Sequence, residues 1–156
     1  MASGGEGPDS NIRLVYRFTD ECWNDGDLAR VSELVAEDCR HHDRVFPHMA
    51  PGPASMQLLI ERVRRAFPDL KFKILDATAE RDAVKVHWSA TATQAAEFLG
   101  IPPRNKFASI KGTSTYRIEG GKIAENWMKW DVMSLMAQLL GVGAKRREAE
   151  HRRRTG

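Results

Sequence analysis

The chain has 156 residues, 42% of them hydrophobic and 29% charged, which is one ordinary globular domain, long enough to fold without a disulfide or a metal. Its net charge of +3 is confined to one end: residues 144–156 carry six Lys/Arg and two Glu, a charge of +4, which leaves −1 for residues 1–143. No run approaches the roughly 18 apolar residues of a membrane span, the opening MASGGEGPDS lacks the charged and apolar regions of a signal peptide, and the domain offers no basic face with interleaved aromatics. Membrane insertion, export and nucleic-acid binding are therefore not expected. The two unclustered cysteines, Cys22 and Cys39, suit a reducing cytoplasm.

Residues 1–9, rich in Gly, Ser and Pro, read as a disordered tail, and residues 144–156 as a solvated basic tail; the domain between spans residues 10–143. Asp9 or Ser10 caps a first helix. Its apolar positions Ile12, Val15, Tyr16, Thr19, Cys22 and Trp23 recur three and four apart until Asn24-Asp25-Gly26 ends it. Asp27 caps a second helix with Leu28, Val31, Leu34 and Val35 on one face. A short strand is expected over residues 39–46, then a Pro-rich loop over 47–53. A third helix over about residues 54–66 turns Met56, Leu59, Ile60 and Val63 inward, and Phe67-Pro68-Asp69 breaks it.

The period then changes from helical to alternating. Residues 70–77 form a strand. Val84, Val86, Trp88, Ala90 and Ala92 alternate with Lys85, His87, Ser89 and Thr91 along a second, half-buried strand. A turn over residues 100–105 leads to a strand over 107–118. Glu119-Gly120-Gly121 makes a tight hairpin, residues 123–131 form the last strand, and residues 132–140 a short helix ended by Gly141. Helices first and a strand meander after them imply an α+β fold. Three N-terminal helices pack on one face of a strongly curved, mainly antiparallel sheet, making a cone with an apolar pocket inside.

Several phrases occur together: Asn24-Asp25-Gly26-Asp27-Leu28 after an aromatic, AEDCRHHD, the run from AFPDLKF to EFLGIPP, YRIEGGKIAENW, and Asp131 ahead of an amphipathic end. As an ordered set over about residues 10–141 they resemble the SnoaL-like polyketide cyclases, or ester cyclases, of the nuclear-transport-factor-2-like (NTF2-like) superfamily. The resemblance implies a cone-shaped α+β barrel and a cytoplasmic enzyme of polyketide-type secondary metabolism, such as antibiotic biosynthesis. Such an enzyme closes a ring in a hydrophobic aromatic polyketide ester by intramolecular aldol condensation, with no cofactor, no metal and no covalent intermediate. Homodimerisation is implied too. The superfamily also holds hydroxylation-associated proteins, isomerases, dehydratases, epoxide hydrolases and non-catalytic small-ligand binders, and fold alone does not choose among them.

By the same resemblance the acid/base residue is Asp131, with His42 of His41-His42-Asp43 lining the same pocket. Alternation places Ile123, Glu125, Trp127, Lys129 and Asp131 on one side of the last strand. A carboxylate beside Trp127 and Trp130 would be partly desolvated, which raises its pKa toward the value that suits a group taking and returning a proton. On spacing alone Asp131 reads rather as the N-cap of the following helix, and it is the resemblance that favours the acid/base role. His41 and His42 point to opposite faces, so one of the two lines the pocket. Trp88 and Trp127 are the expected walls on which a flat substrate stacks, with Tyr16 and Phe67 beside them and His48 in the loop over the mouth. Glu125 is expected to pair with a cation deep in the fold. The group His41, His42, Asp43 and His48 lacks an i,i+4 His pair or a second ligand cluster, so no metal site is expected.

Overall fold

The computed structural model describes residues 7–142. The tail assignments for residues 1–6 and 143–156 lie outside the described residues. Helix α1, Pro8–Arg17, starts two residues earlier than its sequence caps suggest, because Pro8 occupies the first turn, where a missing N–H costs nothing. It runs on through Phe18–Asn24, where the turn widens to i→i+5 bonding, as in Asp25 N–H to Asp20 C=O at 2.9 Å. The expected second helix is short: one tight turn at Leu28–Arg30, then α2 at Val31–Leu34. Val35 is already extended and opens β1, Val35–His42. The strand expected at residues 39–46 therefore lies about four residues earlier, and Asp43 to Gly52 form the loop. Helix α3, Pro53–Ala66, turns Met56, Leu59 and Ile60 into the core.

Four longer strands follow: β2, Lys71–Glu80; β3, Ala83–Thr93; β4, Phe107–Glu119; and β5, Lys122–Trp130. Helix α4, Val132–Leu140, closes the described chain. The sheet order is β1-β5-β4-β3-β2, antiparallel except where β1 runs parallel to β5. The β4–β5 hairpin turns on Gly120 and Gly121, both at positive φ (60° and 76°), which the right-handed twist of a two-residue hairpin requires. Bulges interrupt β1, β2 and the β4–β5 ladder, and each sharpens local bending. The result is an α+β fold of four α-helices on a curved five-stranded sheet; among the described residues no helix is long and apolar enough to cross a membrane.

The inward face of β3 reads Val84, Val86, Trp88, Ala90, Ala92, and all five are buried. Large residues fill one end of the cone beneath α1, where Val15 and Phe18 are fully buried. Past Trp88 the side chains shrink to alanine, and Ala108 faces them from β4. That step in side-chain volume leaves space at the other end of the cone.

Candidate functional site

The space is a cavity of about 70 Å³. Its walls are almost wholly apolar: Phe67 and Phe98 from loops, Phe72 from β2, Trp88 from β3, Met128 and Trp130 from β5. Edge-to-face contacts link Phe98 to Phe46 and Phe67 (6.4 and 5.2 Å between ring centres), and Phe72 to Trp23 and Trp88 (5.2 and 5.0 Å). Two side-chain amides hold this wall. Asn24 bonds both the N–H (2.7 Å) and the C=O (3.0 Å) of Phe72, acting as a strand partner for the edge of β2. Gln94, fully buried, donates to the carbonyls of Ala96 and Ile101 (3.1 and 2.8 Å) and so folds the loop that carries Phe98.

Asp43 is the one ionisable side chain lining this cavity among the described residues. It follows directly on β1, and its side chain is only 3% exposed. Oδ1 accepts the Val45 N–H at 2.8 Å, and Oδ2 accepts the Trp130 indole N–H at 3.1 Å. Behind it, His41 Nε2 lies 3.9 Å from Oδ2, an electrostatic contact longer than a hydrogen bond. His41 Nδ1 is 2.9 Å from the side-chain nitrogen of Asn126. An amide N–H donating to Nδ1 leaves the ring proton on Nε2, facing the carboxylate; the opposite tautomer would set a lone pair against a negative charge. Burial pushes the Asp43 carboxyl up, but the His41 ring and the two N–H donors outweigh it and hold it below the usual carboxylate range.

The parallel pairing of β1 with β5 builds this group. It sets His41 opposite Asn126 and His42 opposite Trp127. His41 and Asn126 are thus inward together, and His42 and Trp127 outward together, stacked at 5.3 Å. This corrects two expectations. His42 does not line the cavity: it is exposed and pairs with Glu125 at 2.6 Å, and Glu125 also meets Arg117 on that outer face rather than a cation deep in the fold. Trp127, 37% exposed, is not a cavity wall, because the inward phase of β5 is Asn126, Met128 and Trp130.

Of the other expected substrate contacts, Trp88 and Phe67 line the cavity, whereas Tyr16 and His48 do not. Tyr16 is 40% exposed on the solvent side of α1, since Val15 and Phe18 take the inward positions. His48 is exposed in the loop after β1, where Phe46 turns inward instead, with the Arg62 guanidinium 5.3 Å over its ring. Asp131 lies outside the cavity. It is exposed and caps α4, its Oδ1 accepting the Ser134 N–H at 2.9 Å. Asp43 shares the phase of His41, but alternation alone does not say which of the two adjacent histidines faces inward; the pairing of β1 with β5 does.

The chain matches the family model for SnoaL-like polyketide cyclases over residues 13–139. Among solved structures it is similar to TsrD from Streptomyces laurentii, with 25% identity and a TM-score of 0.78 over 85% of this chain and 96% of that one. AclR from Streptomyces galilaeus, provisionally named a hydroxylase, is 26% identical with a TM-score of 0.75 over 85% and 97%. IdmH from Streptomyces antibioticus, provisionally named a polyketide cyclase, is 25% identical with a TM-score of 0.70 over 83% and 97%. No functionally curated protein matches the chain.

Proposed function

The chain belongs to the SnoaL-like polyketide cyclase family, and from that premise we propose that it is a cofactor-independent acid/base enzyme closing a ring in an aromatic polyketide ester by intramolecular aldol cyclisation, an addition that loses no water. One observation carries this reading: among the described residues a single ionisable group, Asp43, lines an otherwise almost wholly apolar, aromatic cavity. An aldol closure needs one base that later acts as an acid, and a wall that holds one conformer of a flexible chain.

In this reading an Asp43 oxygen takes the proton from the carbon between two carbonyls. The C–H electron pair becomes an enolate, and the enolate carbon attacks a second carbonyl carbon of the same molecule. The new C–C bond forms as the C=O π bond breaks, and the resulting alkoxide recovers the proton from Asp43. The carboxylate is regenerated, and no oxidant or reductant is consumed. His41, with its proton on Nε2, positions Asp43 and stabilises its charged form. Holding the reacting carbons together supplies up to about 7–11 kcal/mol in favourable cases.

Replacing Asp43 by Asn should lower turnover of a linear polyketide ester by about 10²–10⁴-fold. Asp131→Asn, which keeps an oxygen for the Ser134 N–H, should leave turnover within a few-fold. The opposite result, an active Asp43 variant and a dead Asp131 variant, would return the catalytic role to the residue that the family resemblance first indicated. A second reading, assistance to a hydroxylation, draws on the likeness to AclR. Product analysis separates the two, since hydroxylation adds an oxygen and cyclisation leaves the mass unchanged.

A further inference from the structure

Trp88 separates two spaces in the core. Beyond the main cavity lies a smaller void of about 10 Å³, lined by Thr19, Ile74, Val86, Ser114 and Tyr116. The two share Trp23, Phe72, Trp88 and Met128 as a common wall. Trp88 is held firmly in that wall. Its indole N–H donates to Ser114 Oγ at 3.0 Å, and its ring meets Phe72 edge-on. It pairs across the ladder with Gly112, where a Cβ would stand 2.7 Å from indole Cη2 and closer still to Cζ2. The missing side chain at 112 is what lets the indole lie across β4.

We infer that Trp88 is the specificity-determining end wall of the site: it limits the ligand to a short planar hydroxyaromatic and shuts it out of the void over Ser114 and Tyr116. The ligand class follows from the walls. Aromatic rings at Phe72, Trp88 and Phe67 line the cavity and suit a planar ring system by stacked or edge-to-face contact, and an ionised Asp43 accepts a phenol or enol O–H. Length follows from Trp88, since β3 carries only alanine on the cavity side of it and valine on the far side.

The inference rests on reading this cavity as the substrate site, but its test reads binding alone, so loss of turnover in an Asp43 variant and a change in ligand length are separate results. The affinities of phenol, 2-naphthol and 1,2-dihydroxyanthraquinone are measured by calorimetry on the full chain and on Trp88→Leu. The wild type should bind the three-ring ligand less well than 2-naphthol. In Trp88→Leu, the ratio of three-ring to one-ring affinity should rise at least tenfold. Circular dichroism confirms that the variant folds; if it does not, Trp88→Phe, which keeps a ring against Phe72, should give a smaller rise in the same direction. An unchanged ratio in a folded variant overturns the inference. So does a wild type that already binds the three-ring ligand as tightly as the variant, or the absence of binding of all three to both proteins.

Discussion

Asp43 is a buried carboxylate kept ionised by its neighbours, and its folded-state pKa lies below its unfolded value. A depressed carboxylate pKa contributes stability that is present above the ordinary range, near pH 4, and is lost as pH falls through the folded value. The melting temperature of the wild type should therefore exceed that of Asp43→Asn by the largest margin at pH 5 and above, and the gap should shrink as pH drops below about 4. Thermal melts of both proteins from pH 3 to pH 7 check the sign; a gap that widens on acidification would mean that the carboxyl is neutral in the folded state. Asp131 works at the same scale with a different role. Asp131→Ala removes an N-cap and should cost about 1 kcal/mol, a fall of about 2–4 °C in melting temperature.

At the scale of elements, side-chain amides replace secondary-structure contacts that the strands cannot make. Asn24 pairs the exposed edge of β2 at Phe72, and Gln138 of α4 pairs Ser109 of β4 through both its N–H (2.8 Å) and its C=O (2.9 Å). Each clamp supplies a partner to backbone groups at a sheet edge or beneath a helix. Asn24→Ala should leave the Phe72 N–H without its acceptor, cost about 1–2 kcal/mol, and speed exchange of that amide more than exchange along β3. Hydrogen exchange followed residue by residue distinguishes this local loosening from a uniform loss of stability.

Helix and strand order were legible because the apolar period changes from three-and-four to two at Leu70, and that change survives any detail of packing. The inward residues of β3 were legible for the same reason. What the pattern does not carry is phase in the last strand. Trp127 and Trp130 are both aromatic, and only the pairing of β5 with its neighbours decides that Trp130 is inward. The choice between His41 and His42 turns on the same pairing, because two adjacent residues on a strand differ only in face. Asp131 was legible as a cap and as an acid/base group; its Ser134 contact is the part spacing alone could reach.

For the molecule as a whole, the two thiols report on integrity. Cys22 and Cys39 are both buried in the core, and burial pushes their pKa values up to about 12 and about 11. The thiolate is the reactive form, so neither should react with an alkylating reagent at neutral pH while the cone is closed. Labelling should proceed at the rate of global opening and rise with denaturant in step with unfolding. Fast labelling of either cysteine in native buffer would point to a local opening of α1 or β1.

The candidate site's central contact joins His41 to Asn126, 85 residues apart, through the parallel pairing of β1 with β5. The meander from β2 to β5 can form by successive neighbouring hairpins, but β1 must wait for β5. Closing that loop carries an entropic cost that local strand pairing does not. During synthesis, therefore, Asp43 and His41 emerge early and remain without their partners until Trp130 has left the ribosome. The candidate site is thus completed only when β1 pairs with β5, after the other strands can already have paired.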